Sequence, residues 1–126
     1  TLSGTKLDVA SLRGKVVLVH YWATWCEPCL EQMAQLRNLR TEYGRNRIQI
    51  VGVNLDANAQ DAKDILQDRR FPWPHLFAEG GLDSRLANEL GILSLPTMLL
   101  IGADGKVLTR NLHIEAAEAQ VQAALR

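Results

Sequence analysis

The sequence predicts an α/β domain with a central mixed β-sheet flanked by helices on both faces. Two apolar, β-branched runs, residues 15–22 and 48–54, read as buried strands of parallel type. Between them, residues 27–43 carry apolar side chains at helical spacing, which makes a β-α-β unit. Towards the other end, Asp104-Gly105 sits between two short strand-like runs. That pair marks a tight hairpin, and its returning strand adds an antiparallel edge.

The elements follow in order. Residues 2–13 are mixed and contain Gly4, with Gly14 just beyond, so they read as an irregular or hairpin lead-in, an N-terminal extension. In the first helix Leu30, Met33, Leu36, Leu39 and Tyr43 share one side. Pro28 suits its first turn, where a missing N–H costs nothing, and Gly44 suits its end. Asn58 can cap a second helix with Ala62, Ile65, Leu66 and Arg69 on one side. Phe71-Pro72-Trp73-Pro74-His75 breaks it. Residues 76–78 form a short strand and 79–81 a turn. Asp83 or Ser84 caps a short helix with Leu86, Ala87 and Leu90 inward, ended by Gly91. Residues 97–102 are the third main strand, 106–110 the returning one, and 115–125 a closing helix with Ala117, Val121, Ala124 and Leu125 on one face. No repeat, low-complexity tract or linker divides the chain, so residues 1–126 read as one domain.

Bulk properties narrow the function. At 126 residues and 47% hydrophobic content, the core needs no disulfide staple. Lys plus Arg and Asp plus Glu number 14 each, which argues against a nucleic-acid platform or a polybasic membrane contact. No apolar run approaches the roughly 20 residues that span a bilayer. The first residue is Thr1 rather than Met, so processing or an upstream signal or anchor stays open. Cys26 and Cys29 are the two cysteines. A structural zinc site needs four ligands, and His20, His75 and His113 are not spaced to complete one, so no metal is expected. His75 and His113 read as surface or loop residues.

The cysteine pair carries the chemistry. Cys26-Glu27-Pro28-Cys29 lies where the first strand passes into the first helix. Cys26 then falls at the helix N-terminus, where unpaired N–H groups and the helix dipole favour a thiolate. Cys29 follows on the same helical face and can attack a mixed disulfide formed on Cys26. Cys26 is expected to be partly exposed and Cys29 mostly buried. An inert thiol pair or a purely structural disulfide is the competing reading, and the strand-to-helix context argues against it.

Trp22-Ala-Thr-Trp25-Cys26-Glu-Pro-Cys29 resembles the active-site signature of the thioredoxin superfamily, and Gly91-Ile-Leu-Ser-Leu95-Pro96-Thr97 resembles its second signature. Their separation is similar to that of members with an extra βα insertion. Leu12-Arg-Gly-Lys15 and the Glu-Pro dipeptide resemble the TlpA/ResA-like branch of extracytoplasmic thiol–disulfide oxidoreductases, which is often linked to cytochrome c maturation. The resemblance implies a thioredoxin fold with a βα insertion and an N-terminal extension. It implies that Pro96 is a cis-proline beside the sulfurs, which keeps metals off them, and that the Leu95 backbone pairs with an extended substrate segment next to Thr97. An ordinary trans-proline at the start of an edge strand is the plainer alternative.

Other residues take two readings each. Trp25 is a docking surface or a packing residue, and Trp22 belongs to the core. Glu27 disfavours a neighbouring thiolate, which makes the couple more reducing, while also suiting the first turn of a helix. His20 stands where many thioredoxins have a buried Asp. It reads as a hydrogen-bonded core residue, with a proton relay to Cys29 as the sharper alternative. Asp56 lies near where some reductase-type relatives carry an acid, or is a turn residue before the Asn58 cap. Phe71-Pro-Trp73-Pro reads as core aromatics, or as a recognition surface.

The leading function is a reductase of protein disulfides, extracytoplasmic by resemblance. It has no bound cofactor beyond the Cys26–Cys29 pair, and is served by an upstream thiol donor. Apocytochrome c is a client by resemblance only. An oxidase or isomerase is the nearest rival, since direction depends on potential. A non-catalytic binding module is the rival of a different class, and intact Cys26, Cys29 and Pro96 argue against it. A peroxidase would need a single reactive cysteine in a peroxide pocket.

Overall fold

The computed structural model describes residues 2, 12, 14–44, 47–77, 95, 97–110, 112 and 114–125. Its strands are β1 (Val16–Trp22), β2 (Ile48–Asn54), β3 (His75–Phe77), β4 (Thr97–Ile101) and β5 (Val107–Thr109). Its helices are α1 (Glu27–Tyr43), α2 (Ala59–Asp68) and α3 (Ile114–Leu125). The strands form one sheet in the order β3-β2-β1-β4-β5. β1, β2 and β3 run parallel, while β4 opposes β1 and β5 opposes β4. The reversal therefore falls at β4, one strand before the hairpin return that marked it in the sequence. An apolar run does not encode strand direction.

The local signals act where they stand. Asn58 Oδ1 accepts from the Gln60 N–H at 2.8 Å and caps α2. Gly44 ends α1 at φ 78°, and Gly105 turns the hairpin at φ 85°. Arg69, expected along the inner side of α2, lies beyond its last turn as the exposed C-cap. The expected turn at 79–81 and the expected helix ended by Gly91 lie outside the described residues, as does the lead-in apart from Leu2 and Leu12.

The sheet separates two apolar clusters by strand alternation. On one side Val16, Leu18 and Trp22 of β1 meet Ile48, Ile50, Met98 and Leu100. α1 adds Cys29, Met33, Leu36 and Leu39, α2 adds Ala62, and α3 adds Ala117 and Val121. On the other side lie Tyr21, Val53, Leu55 and Leu99. All three described helices contribute to the first cluster. Phe71 and Trp73 are buried, so the core reading of that aromatic stretch holds. The Arg37 guanidinium covers the Phe71 ring from outside at 5.3 Å.

His75 departs from expectation. It is not a loop histidine but the first residue of β3, 5% exposed. Gly52 N–H donates to Pro74 O at 2.9 Å, and Gly52 stands opposite His75 in the sheet. α2 ends at Asp68, before the first of the two prolines, and the prolines do not carry the chain away from the core. The His75 ring lies against Trp22 and Trp73, with centroids 5.5 and 5.6 Å away. It fills the space that Gly52 leaves free. A Cβ on Gly52 would overlap His75 Nδ1 and come within 3.1 Å of Trp22 Nε1.

Gly52→Ala is therefore expected to destabilise the domain by about 1–3 kcal/mol through overpacking against two aromatic rings. Urea unfolding measures it, and an unchanged midpoint would contradict this account of the site.

Candidate active site

β1 ends at Trp22 and α1 begins at Glu27, so four residues make the turn that carries the first cysteine. Cys26 N–H donates to Ala23 O at 3.1 Å and closes that turn. Cys26 is the N-cap of α1, and its Sγ accepts from the Cys29 N–H at 3.2 Å. A side-chain acceptor at this position satisfies a backbone donor that the helix cannot pair internally. Glu27 and Pro28 fill the first turn, both exposed.

Cys26 and Cys29 are joined by a disulfide with Cα atoms 5.3 Å apart. Cys29 is fully buried, and Cys26 is 6% exposed, more enclosed than the partial exposure expected of it. Its sulfur is bonded to a fully buried residue. Cys29 Sγ also lies 3.9 Å from Tyr21 O, a carbonyl to which a reduced thiol can donate. Trp25 is 65% exposed directly beside the buried pair. The ring is exposed rather than packed in the core.

His20 is fully buried on the α1 side of β1. Its Nε2 lies 3.1 Å from Gln32 Oε1, so the ring donates from Nε2, and Nδ1 is a lone pair without a partner. Burial pushes the imidazole down to about 4; the Gln32 bond works the other way, and the His75 charge adds to the lowering. Gly52 stands between His20 on β1 and His75 on β3 in one row of the sheet. Burial likewise lowers His75 to about 4, opposed by its bond to the Phe71 carbonyl.

Asp56 lies just past β2, 2% exposed. Its carboxylate accepts from Thr24 N–H, Thr24 Oγ1 and Asn54 Nδ2. Leu95 is half-buried and packs against both clusters, and Thr97 opens β4 opposite Tyr21. Pro96 lies outside the described residues, and its peptide geometry with it. The structure therefore gathers Cys26, Glu27, Pro28, Cys29 and Trp25 at one junction, with Asp56 bonded to the turn before it. Reading the sequence missed Thr24, Asn54 and Gln32. Thr24 and Asp56 are 32 residues apart and His20 and Gln32 are 12, so no local pattern announces either pairing. Among the described residues no group of three or more His, Cys, Asp or Glu could hold a metal ion, and no helix is long and apolar enough to cross a membrane.

The model of a family described as thioredoxin-like matches residues 14–107. A thiol-disulfide oxidoreductase ResA from Bacillus thuringiensis is 29% identical over 107 residues, covering 85% of this chain and 60% of its own length. The ResA of Oceanobacillus iheyensis is 35% identical over 103 residues, covering 80% of this chain and 51% of its own length. The chain thus spans roughly half to three fifths of these curated relatives. A solved structure described as a thiol-disulfide oxidoreductase from Bacteroides fragilis superposes with a TM-score of 0.86 at 30% identity, over 97% of this chain and 91% of that one. The likeness matches the fold expected from the two sequence signatures.

Two outcomes follow from the charges around the pair. Unfolded histidines take up protons near pH 6.5, whereas His20 and His75 in the fold do so near 4. The stability they contribute is whole above about pH 6.5 and is lost as the pH falls towards 4, at up to about 1.4 kcal/mol per pH unit for each ring. Urea titrations across that window check it, and a flat profile would contradict the buried neutral imidazoles. Glu27→Gln is expected to lower the thiol pKa of reduced Cys26 slightly, because solvent screens an exposed carboxylate. Thiolate ultraviolet absorbance against pH reads it, and no shift removes Glu27 from the tuning of the pair.

Proposed function

The chain belongs to the thioredoxin-like family, and from that premise we propose that it is a thiol–disulfide oxidoreductase that reduces disulfides of extracytoplasmic proteins. The observation that carries the reading is the disulfide itself. It joins a helix N-cap to a buried core cysteine, beside an exposed tryptophan. A sulfur at a helix N-terminus is stabilised as a thiolate, so the couple is poised for exchange rather than for stapling the fold.

The cycle begins when an upstream dithiol donor supplies two electrons and two protons and opens Cys26–Cys29. Cys26 thiolate attacks one sulfur of the client disulfide. The client S–S bond breaks, and the departing client sulfur takes a proton. Cys29 then gives up its proton and attacks Cys26 Sγ. The mixed disulfide breaks, Cys26–Cys29 re-forms, and the client leaves as a dithiol. In the oxidised pair the Cys29 N–H donates to Cys26 Sγ at the helix end.

Trp25, the Leu95 backbone, Pro96 and Thr97 form the client-binding edge in this proposal, with an extended client segment added along it. Glu27, Pro28, His20 and Asp56 tune the couple. By the resemblance of its sequence to the TlpA/ResA-like branch, the setting in this proposal is extracytoplasmic, with apocytochrome c as one client class. No organic cofactor is needed, because the sulfur pair is itself the redox centre.

The equilibrium potential of Cys26–Cys29 in defined thiol buffers tests the direction. A value at or below about −250 mV is expected for a reductase. A value near about −180 to −120 mV would make the protein an oxidant or isomerase instead, and no two-electron couple at all would make it a binding module.

A further inference from the structure

We propose that Asp56 is a positioning residue, whose buried carboxylate latches the turn at 23–26 and so holds Cys26 in place as the cap of α1. The inference rests on the redox reading above for its consequence, but the latch is read from geometry alone. Thr24 N–H lies 3.1 and 3.0 Å from the two Asp56 oxygens, and Thr24 Oγ1 donates to Oδ1 at 2.8 Å. Asn54 Nδ2 donates to Oδ2 at 2.7 Å, and Asp56 N–H donates back to Asn54 Oδ1 at 3.0 Å. Asn54 is fully buried and Asp56 nearly so. A carboxylate taken out of water is costly unless its lone pairs are met, and here the donors are in place. Bonds to a charged acceptor are also roughly twice as strong as neutral ones.

The latch grips the chain two residues before the nucleophile. Its far side is anchored as well, because Leu55 N–H donates to Trp22 O at 2.9 Å. The end of β2 thus holds both the end of β1 and the turn that follows it. In the oxidised protein the sulfur bond itself also fixes Cys26. Once that bond is reduced, the latch shares the work with the Leu55–Trp22 bond and with the backbone bonds of Cys26 to Ala23 and Leu30. Losing the latch then lets Cys26 leave the place where the Cys29 N–H and the helix end stabilise its thiolate.

Positioning and direct charge predict opposite signs. If Asp56 acted by its charge, removing that charge would ease thiolate formation on Cys26. If it acts by holding the turn, removing it makes the thiolate harder to form. Asp56→Asn keeps the shape but sets an NH2 group against Asn54 Nδ2. Thr24→Val removes the hydroxyl donor and leaves every charge untouched. The double variant Asn54→Asp with Asp56→Asn restores a matched donor and acceptor between the two side chains while keeping an acceptor for Thr24.

The experiment titrates Cys26 in the reduced 126-residue chain by pH-dependent alkylation and measures glutathione exchange alongside. The acid dissociation constant of Cys26 is expected to fall by about threefold to tenfold in Asp56→Asn, the range of a helix-end interaction. Thr24→Val moves it the same way by less, and the double variant returns it to within about twofold of wild type. A rise in Asp56→Asn would overturn the proposal in favour of direct charge. No change, with both redox forms equally destabilised, would reduce Asp56 to a fold residue. Should the wild type fail to exchange with glutathione, the redox reading itself fails. Should it exchange normally while Asp56→Asn leaves Cys26 unmoved, only the latch fails.

Discussion

The position of the sulfur pair depends on the register in which β1 and β2 run together. They pair in parallel along seven residues, and Trp22 ends opposite Asn54. Because both strands stop at the same level, the turn leaving β1 and the turn leaving β2 emerge side by side. Leu55 can then reach back to the Trp22 carbonyl, and Asp56 can reach Thr24. A slip of one residue would turn every β1 side chain to the opposite face. It would remove Leu18 and Trp22 from the helix-covered cluster and break the bonds around the turn together. The apolar alternation that builds the core therefore also places the chemistry.

The same sheet explains why a domain with ordinary composition holds several polar groups out of water. His20, Gly52 and His75 occupy one row across β1, β2 and β3. The missing side chain at the centre leaves room for the His75 ring, and Trp22 and Trp73 close over it. Each ring bonds through Nε2, to Gln32 or to the Phe71 carbonyl, and each leaves Nδ1 without a partner. Burial without a full set of partners disfavours the charged form, which keeps both rings neutral at neutral pH. Two uncharged imidazoles can sit in one layer of core where two cations would repel each other.

Around the disulfide, burial and exposure divide the roles. Cys29 is a core residue as much as a reactive one, flanked along α1 by Met33 and Leu36. Cys26 is nearly enclosed, and Trp25 is the large apolar surface left beside it. Cys26 and the exposed Trp25 ring therefore share one turn of four residues. Bonds from outside also hold this short turn, and Leu55 and Asp56, just past β2, supply them.

Much of this was legible in the residues. The bounds of α1 and β2, the Asn58 cap, the Gly44 stop and the Asp104-Gly105 turn are local events, decided by side-chain periodicity and by which residues accept left-handed backbone or pair a free N–H. The cysteine pair at a strand-to-helix junction is local too, and could be placed from 14 consecutive residues, 16–29. What the sequence could not settle is everything that depends on two segments meeting. The direction of β4, the burial of His75 against Trp22, the bond between His20 and Gln32 and the bond from Thr24 to Asp56 all join residues separated by 12 or more positions. Hydrogen bonding and burial act through space, and only the folded sheet brings those partners within reach.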